Sequence, residues 1–574
     1  MKALFLKMCW RAMCICISVQ IAPWRGVLLR HAGKAVVKDK RGFSSSGRQV
    51  KMKVLLLEHP RGRSNRHFND VAHTPLSSSL MTGYLFSSLR KHGIETELDD
   101  FHATNRSLSR MVKAVNEREC DVLGVHLVYS WENTQNILRA LHEIGSRYKL
   151  PIIVYGFYPT FAYKILLELY PSITYVIRGE PEYTFLRLCS VLKKGTDPGL
   201  VKGIAFRRDK ALVVTERPRP IDDLDALPVP YRTEEQRALT QDGINVLGSR
   251  GCYGSCSFCY INNFYGVKGS WRGRTPANIY EEVTMIAAVP PEQYIYFVDA
   301  NFLGPGTGGQ ERAVQIAEHL KTVKGLTFGL ECRVNDVREA SLKHLVDAGL
   351  RNVFLGVESA SPSCLKRIKK NTTVQQTHRA LALLRGYGIE PHIGFIMFEP
   401  DSELHDIRLN FNFLMSQNLL NGLSKTVDLL YHPEIILMGT DNYRLLESAG
   451  RIELSSHSDY QGSYSFKDRR VKWFADTISH VCHYLLELMD KADSPLYWRN
   501  YCSGYTTADH LREDLTAWLA ELFEKLLVRL ETDDVPCTDQ VKDRTVGDAI
   551  EAINTIITKT MDDKPATEYG GLKR

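Results

Sequence analysis

Three cysteines within eight residues, Cys252-Tyr253-Gly254-Ser255-Cys256-Ser257-Phe258-Cys259, constrain this chain more than any other feature. The C-x3-C-x2-C spacing sits in a loop opened by Gly248-Ser249-Arg250-Gly251, after the apolar, strand-like run Ile244-Asn245-Val246-Leu247. Three thiolates on so short a loop converge on one point, as the soft ligands of an iron–sulfur cluster must. In a cubane cluster, three protein ligands leave one iron open to bind a substrate or cofactor and pass it an electron. A purely electron-carrying cluster normally has a further cysteine. The competing reading is structural zinc, but zinc sites usually pair two C-x2-C knuckles. The nearest later cysteine, Cys332, is isolated in a different strand. Three close cysteines cannot all pair, and nothing else in the chain looks like a secreted disulfide scaffold.

At 574 residues the chain exceeds one compact core, so two or three domains are expected. The net charge of +7 comes without a Lys/Arg block, which argues against a nucleic-acid partner. The thirteen cysteines are scattered apart from the trio, pointing to free thiols in a reducing, cytoplasmic setting. Residues 1–51 form a distinct extension with one acidic residue, Asp39, and an apolar stretch from Cys14 to Pro23 too short to span a membrane. No stable membrane insertion is expected. The run Lys40–Arg48 has the Arg/Ser-rich character of a transit peptide, which would make the protein mitochondrial. An over-called start codon is the favoured alternative, since Met52-Lys53-Val54-Leu55-Leu56-Leu57 leads straight into a buried strand.

Over residues 52–200, apolar runs Val54–Leu57, Asp121–Val128, Ile152–Gly156 and Tyr175–Arg178 alternate with amphipathic stretches Leu80–His92, Arg110–Glu117, Thr134–Tyr148 and Glu182–Leu192. That β-α alternation predicts a Rossmann-like domain, a parallel sheet covered by helices, with ligands outside the carboxyl ends of its strands. Two loops are predicted there, Tyr155–Thr160 and Gly179–Thr184, each with a glycine that lets backbone approach a ligand. Residues 201–243 read as a hairpin followed by a Pro-rich linker. From 244 to 439, strand candidates Ile244–Leu247, Tyr294–Val298, Leu326–Cys332, Asn352–Val357, His392–Met397 and Thr426–Leu430 alternate with helices, predicting a partial (β/α)6 barrel. Polar residues recur at its strand ends: Asp299 and Asn301, Glu331 and Arg333, Glu358 and Ser359. Residues 440–574 read as mainly helical, with Val471–Asp490 and Leu511–Leu530 as long helices and a polar tail from Asp562. Tyr460, Tyr464, Trp498, Tyr501 and Tyr505 are aromatic candidates for the substrate side.

With Phe258 before its last cysteine, the trio resembles the motif of the radical S-adenosylmethionine (SAM) superfamily. The preceding domain resembles the cobalamin-binding domain of one large subfamily, which includes methyltransferases and anaerobic porphyrin cyclases. Members carry a Gly-Gly-x-x-Pro-[Ser/Thr] turn and then a Gly-Glu-x-Glu-x-Thr turn. Here the second matches as Gly179-Glu180-Pro181-Glu182-Tyr183-Thr184, while the first has Tyr155 in place of a glycine. The resemblance implies a 4Fe-4S cluster on Cys252, Cys256 and Cys259, with SAM chelating the open iron. Backbone around Phe258 and Tyr260 would hold the adenine, and Glu331, Arg333 and Glu358 would contact the carboxylate and ribose. Ser130, Gly156, Gly179 and Glu180 would face cobalamin. The subfamily's cobalt-ligating histidine is missing, since Pro60-Arg61-Gly62-Arg63-Ser64-Asn65 stands in its place, so cobalamin is expected without a protein histidine ligand. His102 reads as a loop histidine. The implied activity is SAM cleavage and C-methylation of a small-molecule, lipid or peptide substrate, fed by a donor such as flavodoxin or ferredoxin. Oxidative cyclisation of the porphyrin-cyclase type, or a non-catalytic cobalamin or redox sensor, are the alternatives. Transfer-RNA methylthiotransferases are disfavoured, because their second cysteine trio has no counterpart beyond Cys120 and Cys189.

Overall fold

The computed structural model describes residues 52–60, 80–104, 106–129, 134–234, 236, 243–288, 294–453, 462–497, 506–534 and 536–562. The extension 1–51, Ser130, Tyr460, Trp498, Tyr501, Tyr505 and the tail after Asp562 lie outside the described residues.

Its first sheet begins with β1 (Lys53–Glu58), α1 (Leu80–Lys91), β2 (Glu95–Asp100), α2 (Leu108–Glu117) and β3 (Val122–His126). It continues through α3 (Thr134–Tyr148), β4 (Ile152–Tyr155), α4 (Phe157–Leu169), β5 (Ile173–Ile177) and α5 (Pro181–Lys194), and closes with the hairpin β6 (Ile204–Arg208) and β7 (Ala211–Val214). The strand order is β2-β1-β3-β4-β5-β6-β7. Strands β1 to β5 run parallel, and β6 and β7 turn antiparallel at the far edge. Every residue of β3 and β4 is buried, because helices cover both faces and leave no polar side to the strand. The order reverses between β1 and β3, and a ligand crevice opens at such a switch point. Glu58 and His126 end those two strands, joined Nδ1 to Oε1 at 2.9 Å.

Two features depart from the sequence pattern in this half. Strand β2, Glu-Thr-Glu-Leu-Asp-Asp, is an edge strand with one solvated side and so lacks an apolar run. The predicted loop Tyr155–Thr160 is instead the start of helix α4: Gly156 at φ 122° caps it, and Pro159 lies in its first turn, where a missing amide costs nothing.

The second sheet starts at β8 (Ile244–Val246) and gains β9 (Ser249–Arg250) and β10 (Arg272–Gly273) as a small side ladder, with the short helix α6 (Ile261–Tyr265) between them. Then come α7 (Pro276–Ala287), β11 (Tyr294–Phe297), α8 (Gly306–Leu320), β12 (Thr327–Arg333), α9 (Glu339–Asp347) and β13 (Leu350–Glu358). After α10 (Pro362–Arg367) and α11 (Val374–Gly386), β14 (His392–Phe395) completes five parallel strands in the order β14-β13-β12-β11-β8. The predicted sixth strand, Thr426–Leu430, is corrected: after α12 (Leu404–Ser416) it lies within α13 (Leu423–Tyr431). Leu423, Val427 and Leu430 are all buried at helical spacing, a pattern that a five-residue apolar run does not separate from a strand. The sixth place is taken by an extended segment that meets β14's continuation in one parallel bridge, Phe398 to Pro433.

Helix α14 (Asp441–Ser448) and the small pair β15 (Ile452–Glu453) and β16 (Ser463–Tyr464) follow. Helices α15 (Arg469–Asp490), α16 (Thr506–Glu531) and α17 (Asp539–Asp562) then bury their apolar stripes in the barrel's own core. Phe398 packs edge-on against Phe474, and Phe411 stacks on Phe523 at 4.9 Å. Among the described residues no helix is long and apolar enough to cross a membrane.

Candidate active site

The cysteine loop leaves the carboxyl end of β8, where a (β/α) barrel puts its chemistry. Its first residues are braced from below. The Gly248 amide donates to Asp299 Oδ2 at 2.9 Å, and the Ser249 hydroxyl donates to Oδ1 of the same carboxylate. Burial pushes Asp299 up to about 6, against the pull of those two donors. Asn301, also fully buried, donates to Asp336 Oδ2 at 2.8 Å, and Asp336 in turn accepts from Tyr253 within the loop. Asp299 and Asn301 therefore serve as braces of the loop.

Cys252, Cys256 and Cys259 line one cavity of about 220 Å³, shared with Phe258, Tyr260 and the barrel residues Glu331, Arg333 and Glu358. Every barrel residue singled out from the sequence as a cofactor contact thus reaches the same space as the thiols. A structural zinc site would bring its ligands onto a single ion. A cubane instead takes each cysteine on a different iron, so its thiols need only face one volume. Burial, followed by the neighbouring Cys256, pushes the Cys259 thiol up to about 12. A thiolate there needs a cationic partner, a role that a bound metal would fill. The Gly254 amide donates to Cys252 Sγ at 3.3 Å, a contact that favours the ionised sulfur, and Arg333 Nη1 donates to Cys256 Sγ at 3.5 Å.

Each predicted barrel contact has a defined setting. Glu358 sits at φ 67° beside a register shift in the β13–β14 ladder, a conformation that costs a non-glycine residue about 1–3 kcal/mol. Lys370 Nζ holds its carboxylate at 2.7 Å. Gly356 makes room for this pair, since a Cβ there would come within 2.7 Å of Lys370 Nζ. Burial raises Glu331 well above the usual carboxylate range, and Tyr296 Oη donates to it at 3.4 Å. Arg333 is turned toward the cysteine loop: besides Cys256 it bonds the Lys370 carbonyl and lies 5.4 Å from the Tyr253 ring centre. Tyr260 packs against Phe157 at 4.8 Å and Tyr129 at 5.5 Å, linking the loop to the first sheet.

On the first sheet, Gly156 and Gly179 follow β4 and β5 at φ 122° and 106°. Thr160 joins them, donating to the Gly156 carbonyl at 2.7 Å and accepting from the Gly179 amide at 3.0 Å. A Cβ on Gly156 would lie 2.5 Å from the Leu127 carbonyl oxygen. Glu180, expected as a cofactor contact, lines a cavity of about 90 Å³ and has both carboxylate oxygens engaged by protein groups. Arg250 Nη1 takes one of its oxygens at 2.7 Å, while Arg272 Nη1 at 3.0 Å and the Ile221 amide at 2.8 Å take the other. Ser130 is among the residues outside the description.

Four cavity residues carried no signal in the sequence: Lys370, Asp428, His432 and Glu434. Glu434 is 2% exposed, accepts from Asn442 through Oε1, and is pushed up to about 8 by burial. It follows the barrel's sixth position, which the misread strand had displaced.

Comparison with known proteins agrees with this geometry. Residues 246–414, which begin at the last residue of β8 and contain the cysteine loop and β9 to β14, match the family model described as the radical SAM superfamily. An uncharacterized methyltransferase of Pyrococcus horikoshii is 27% identical over 373 residues, 63% of this chain and 77% of that protein. An anaerobic magnesium-protoporphyrin IX monomethyl ester cyclase of Synechocystis sp. is 32% identical over 254 residues, 42% of this chain, which thereby spans 49% of the cyclase. The solved cobalamin-dependent SAM radical enzyme OxsB, with aqua-cobalamin and SAM bound, superimposes with a TM-score of 0.71 at 19% identity over 90% of this chain and 81% of that one. The three cysteines lie inside the segment that matches the radical SAM superfamily, and the chain as a whole shares the fold of a solved cobalamin-dependent SAM radical enzyme.

Proposed function

We propose that the chain is a cobalamin-dependent radical SAM enzyme that methylates an unactivated carbon of a small-molecule, lipid or peptide substrate. The observation that carries the reading is the single cavity shared by three cysteine thiols and the Lys370–Glu358 and Arg333 groups. The donor set fits a 4Fe-4S cluster with SAM on its open iron. Bound and reduced, these groups supply the electron transfer that splits SAM and the radical that takes hydrogen from carbon, while cobalamin supplies the methyl group. Arg333 offsets the charge of the thiolates, and Lys370 fixes Glu358 to accept hydrogen bonds from ribose hydroxyls. Phe354, Ile393, Phe395 and Ile435 give the cavity apolar walls that exclude water. For cobalamin, the fit rests on the β1/β3 switch point of the first sheet and on the glycine-led helix starts after β4 and β5.

Residues 52–200 then form the cobalamin-side domain, extended by the hairpin β6–β7 that joins its sheet, the rest of 201–243 a linker, 244–439 the radical SAM barrel, and 440–574 a helical region that backs it. A flavodoxin- or ferredoxin-class protein in the cytoplasm supplies electrons. The test is anaerobic reconstitution with iron and sulfide, reduction with dithionite, and chromatography for 5′-deoxyadenosine after adding SAM. No 5′-deoxyadenosine above an apoprotein control rejects the enzyme reading and leaves a sensor. Absence of a corrin band in the visible spectrum after incubation with hydroxocobalamin rejects methylation through cobalamin. Ring closure is the second reading, favoured by the 32% identical cyclase. Methyl-labelled SAM separates the two, since only methylation places label in the product.

A further inference from the structure

A buried quartet of charges stands at the entrance to the cysteine loop, outside the thiol cavity; three of its members, Glu180, Glu182 and Arg250, line a separate cavity of about 90 Å³ shared with the start of α1. Glu180 caps α5 and Glu182 lies in its first turn, at the carboxyl edge of β5. Arg250 ends β9, two residues before Cys252, and Arg272 lies opposite it on β10. Arg250 forks between the two carboxylates, Nη1 to Glu180 at 2.7 Å and Nη2 to Glu182 Oε1 at 2.6 Å. Arg272 completes the set on Glu180 at 3.0 Å. All four side chains are at most 10% exposed. The Arg250 guanidinium also lies 5.0 Å from the ring centre of Tyr84, on α1 of the first domain.

Two carboxylates against two guanidiniums make a neutral unit, and the Arg250 fork fixes orientation as well as distance. The ladder between β9 and β10 has only two residue pairs, too few to hold a loop alone. Asp299 grips the loop from the barrel side. The quartet grips it from the first domain, on the opposite flank.

We infer that Arg250 is a positioning residue that fixes the cysteine loop to the carboxyl edge of the first sheet, so that the first domain helps set the geometry of the three thiols. This rests on the reading of the trio as cluster ligands. The arrangement makes the cluster-bearing loop responsive to whatever binds at the first sheet's strand ends, because both are attached to the start of α5.

The test uses the full chain with Arg250→Gln, Glu182→Gln and the double variant. Each single variant leaves the quartet with one unbalanced buried charge, whereas the double variant keeps Glu180 and Arg272 as a neutral pair. Thermal melts should show each single variant destabilised and the double variant recovered. If Arg250 positions the loop, amide hydrogen exchange of the 249–260 peptide in apoprotein rises about tenfold in Arg250→Gln and stays raised in the double variant. In reconstituted protein, the SAM-induced change in the reduced cluster's EPR spectrum is altered in both, and SAM cleavage falls on the order of 10²-fold, the size expected for a displacement near 1 Å. Return of exchange and EPR to wild-type values together with the melting temperature overturns the inference and leaves a charge-balance role only. If wild-type protein holds no cluster, the functional reading fails, while the exchange of the apoprotein loop still decides the positioning role.

Discussion

The most exacting prediction concerns Gly251, the residue between the quartet's arginine and the first cysteine. Its φ of 83° lies in the left-handed region, and a Cβ added there would sit 1.8 Å from the backbone oxygen of Ser270. To move from 1.8 Å out to the 3.4 Å of an ordinary contact, the strand must retreat by about 1.6 Å. The obstacle is backbone, so no rotamer change relieves it. Alanine in this conformation costs about 1–2 kcal/mol, and forcing the loop aside adds about 1–3 kcal/mol. Because Cys252 is the next residue, most of the retreat falls on a proposed cluster ligand. Gly251→Ala is therefore expected to lower iron bound per chain after anaerobic reconstitution and to cut SAM cleavage at least 10²-fold. Gly269→Ala is the matched control: φ is 75° there, and the nearest atom to its Cβ is 3.9 Å away, so it bears the conformational cost without the clash. Iron is quantified colorimetrically and 5′-deoxyadenosine by chromatography. Wild-type iron and turnover in Gly251→Ala would falsify the claim that close packing against Ser270 sets the loop, as would equal losses in both variants.

Further outcomes are expected elsewhere. Cys252→Ala, Cys256→Ala and Cys259→Ala should each abolish SAM cleavage, whereas Cys332→Ala and Cys364→Ala should keep the wild-type iron content; loss of iron in either of the latter pair contradicts the ligand assignment. Glu282, 0% exposed, accepts from Arg232 and Arg274, so Glu282→Leu strands two buried guanidiniums and should cost about 3–5 kcal/mol in urea unfolding; a change below about 1 kcal/mol refutes the pairing. Glu434 is raised from 4.5 to about 8 by burial, so between those values the folded chain keeps a proton that the unfolded chain has released. Stability should therefore fall as pH rises from about 4.5 to 8, by on the order of 3–5 kcal/mol for this group, and level off above. Glu434→Gln should flatten that decline, and an unchanged slope in pH-dependent denaturation rejects a buried neutral carboxyl.

The sequence made visible whatever is local or periodic. The cysteine spacing, the apolar parallel strands and the glycines after β4 and β5 each act within a few residues, so the loop, both sheets and the strand-end sites could be read directly. Failures came where local signals point two ways. Pro159 reads as a turn residue although the first turn of a helix tolerates it, which hid α4. Five apolar-rich residues around Val427 fit a strand and a buried helix turn equally well, which hid α13 and, with it, Glu434. Arg250 and Glu180 were both in view, but they are 70 residues apart, and spacing of that kind carries no trace of an ion pair. Glu180 was accordingly read toward a cofactor, with no sign of the arginines that engage its oxygens.

The barrel's sixth position has a mechanical consequence. Between β14 and the segment that follows α13, the wall is joined by the Phe398–Pro433 bridge and a few flanking backbone contacts, such as the Glu434 amide to the Phe398 carbonyl at 2.7 Å. A structure yields first where its ladder is thinnest. Helices α13, α15 and α16 back this seam through side-chain packing, which accommodates a change of volume by sliding and repacking. Across the cavity, the cysteine loop is held by Asp299 and by the quartet of Glu180, Glu182, Arg250 and Arg272, through hydrogen bonds and buried ion pairs. Volume changes in the cavity are therefore expected to be taken up first along this seam, which has one backbone bridge, and least at the cysteine loop, which directed polar contacts hold.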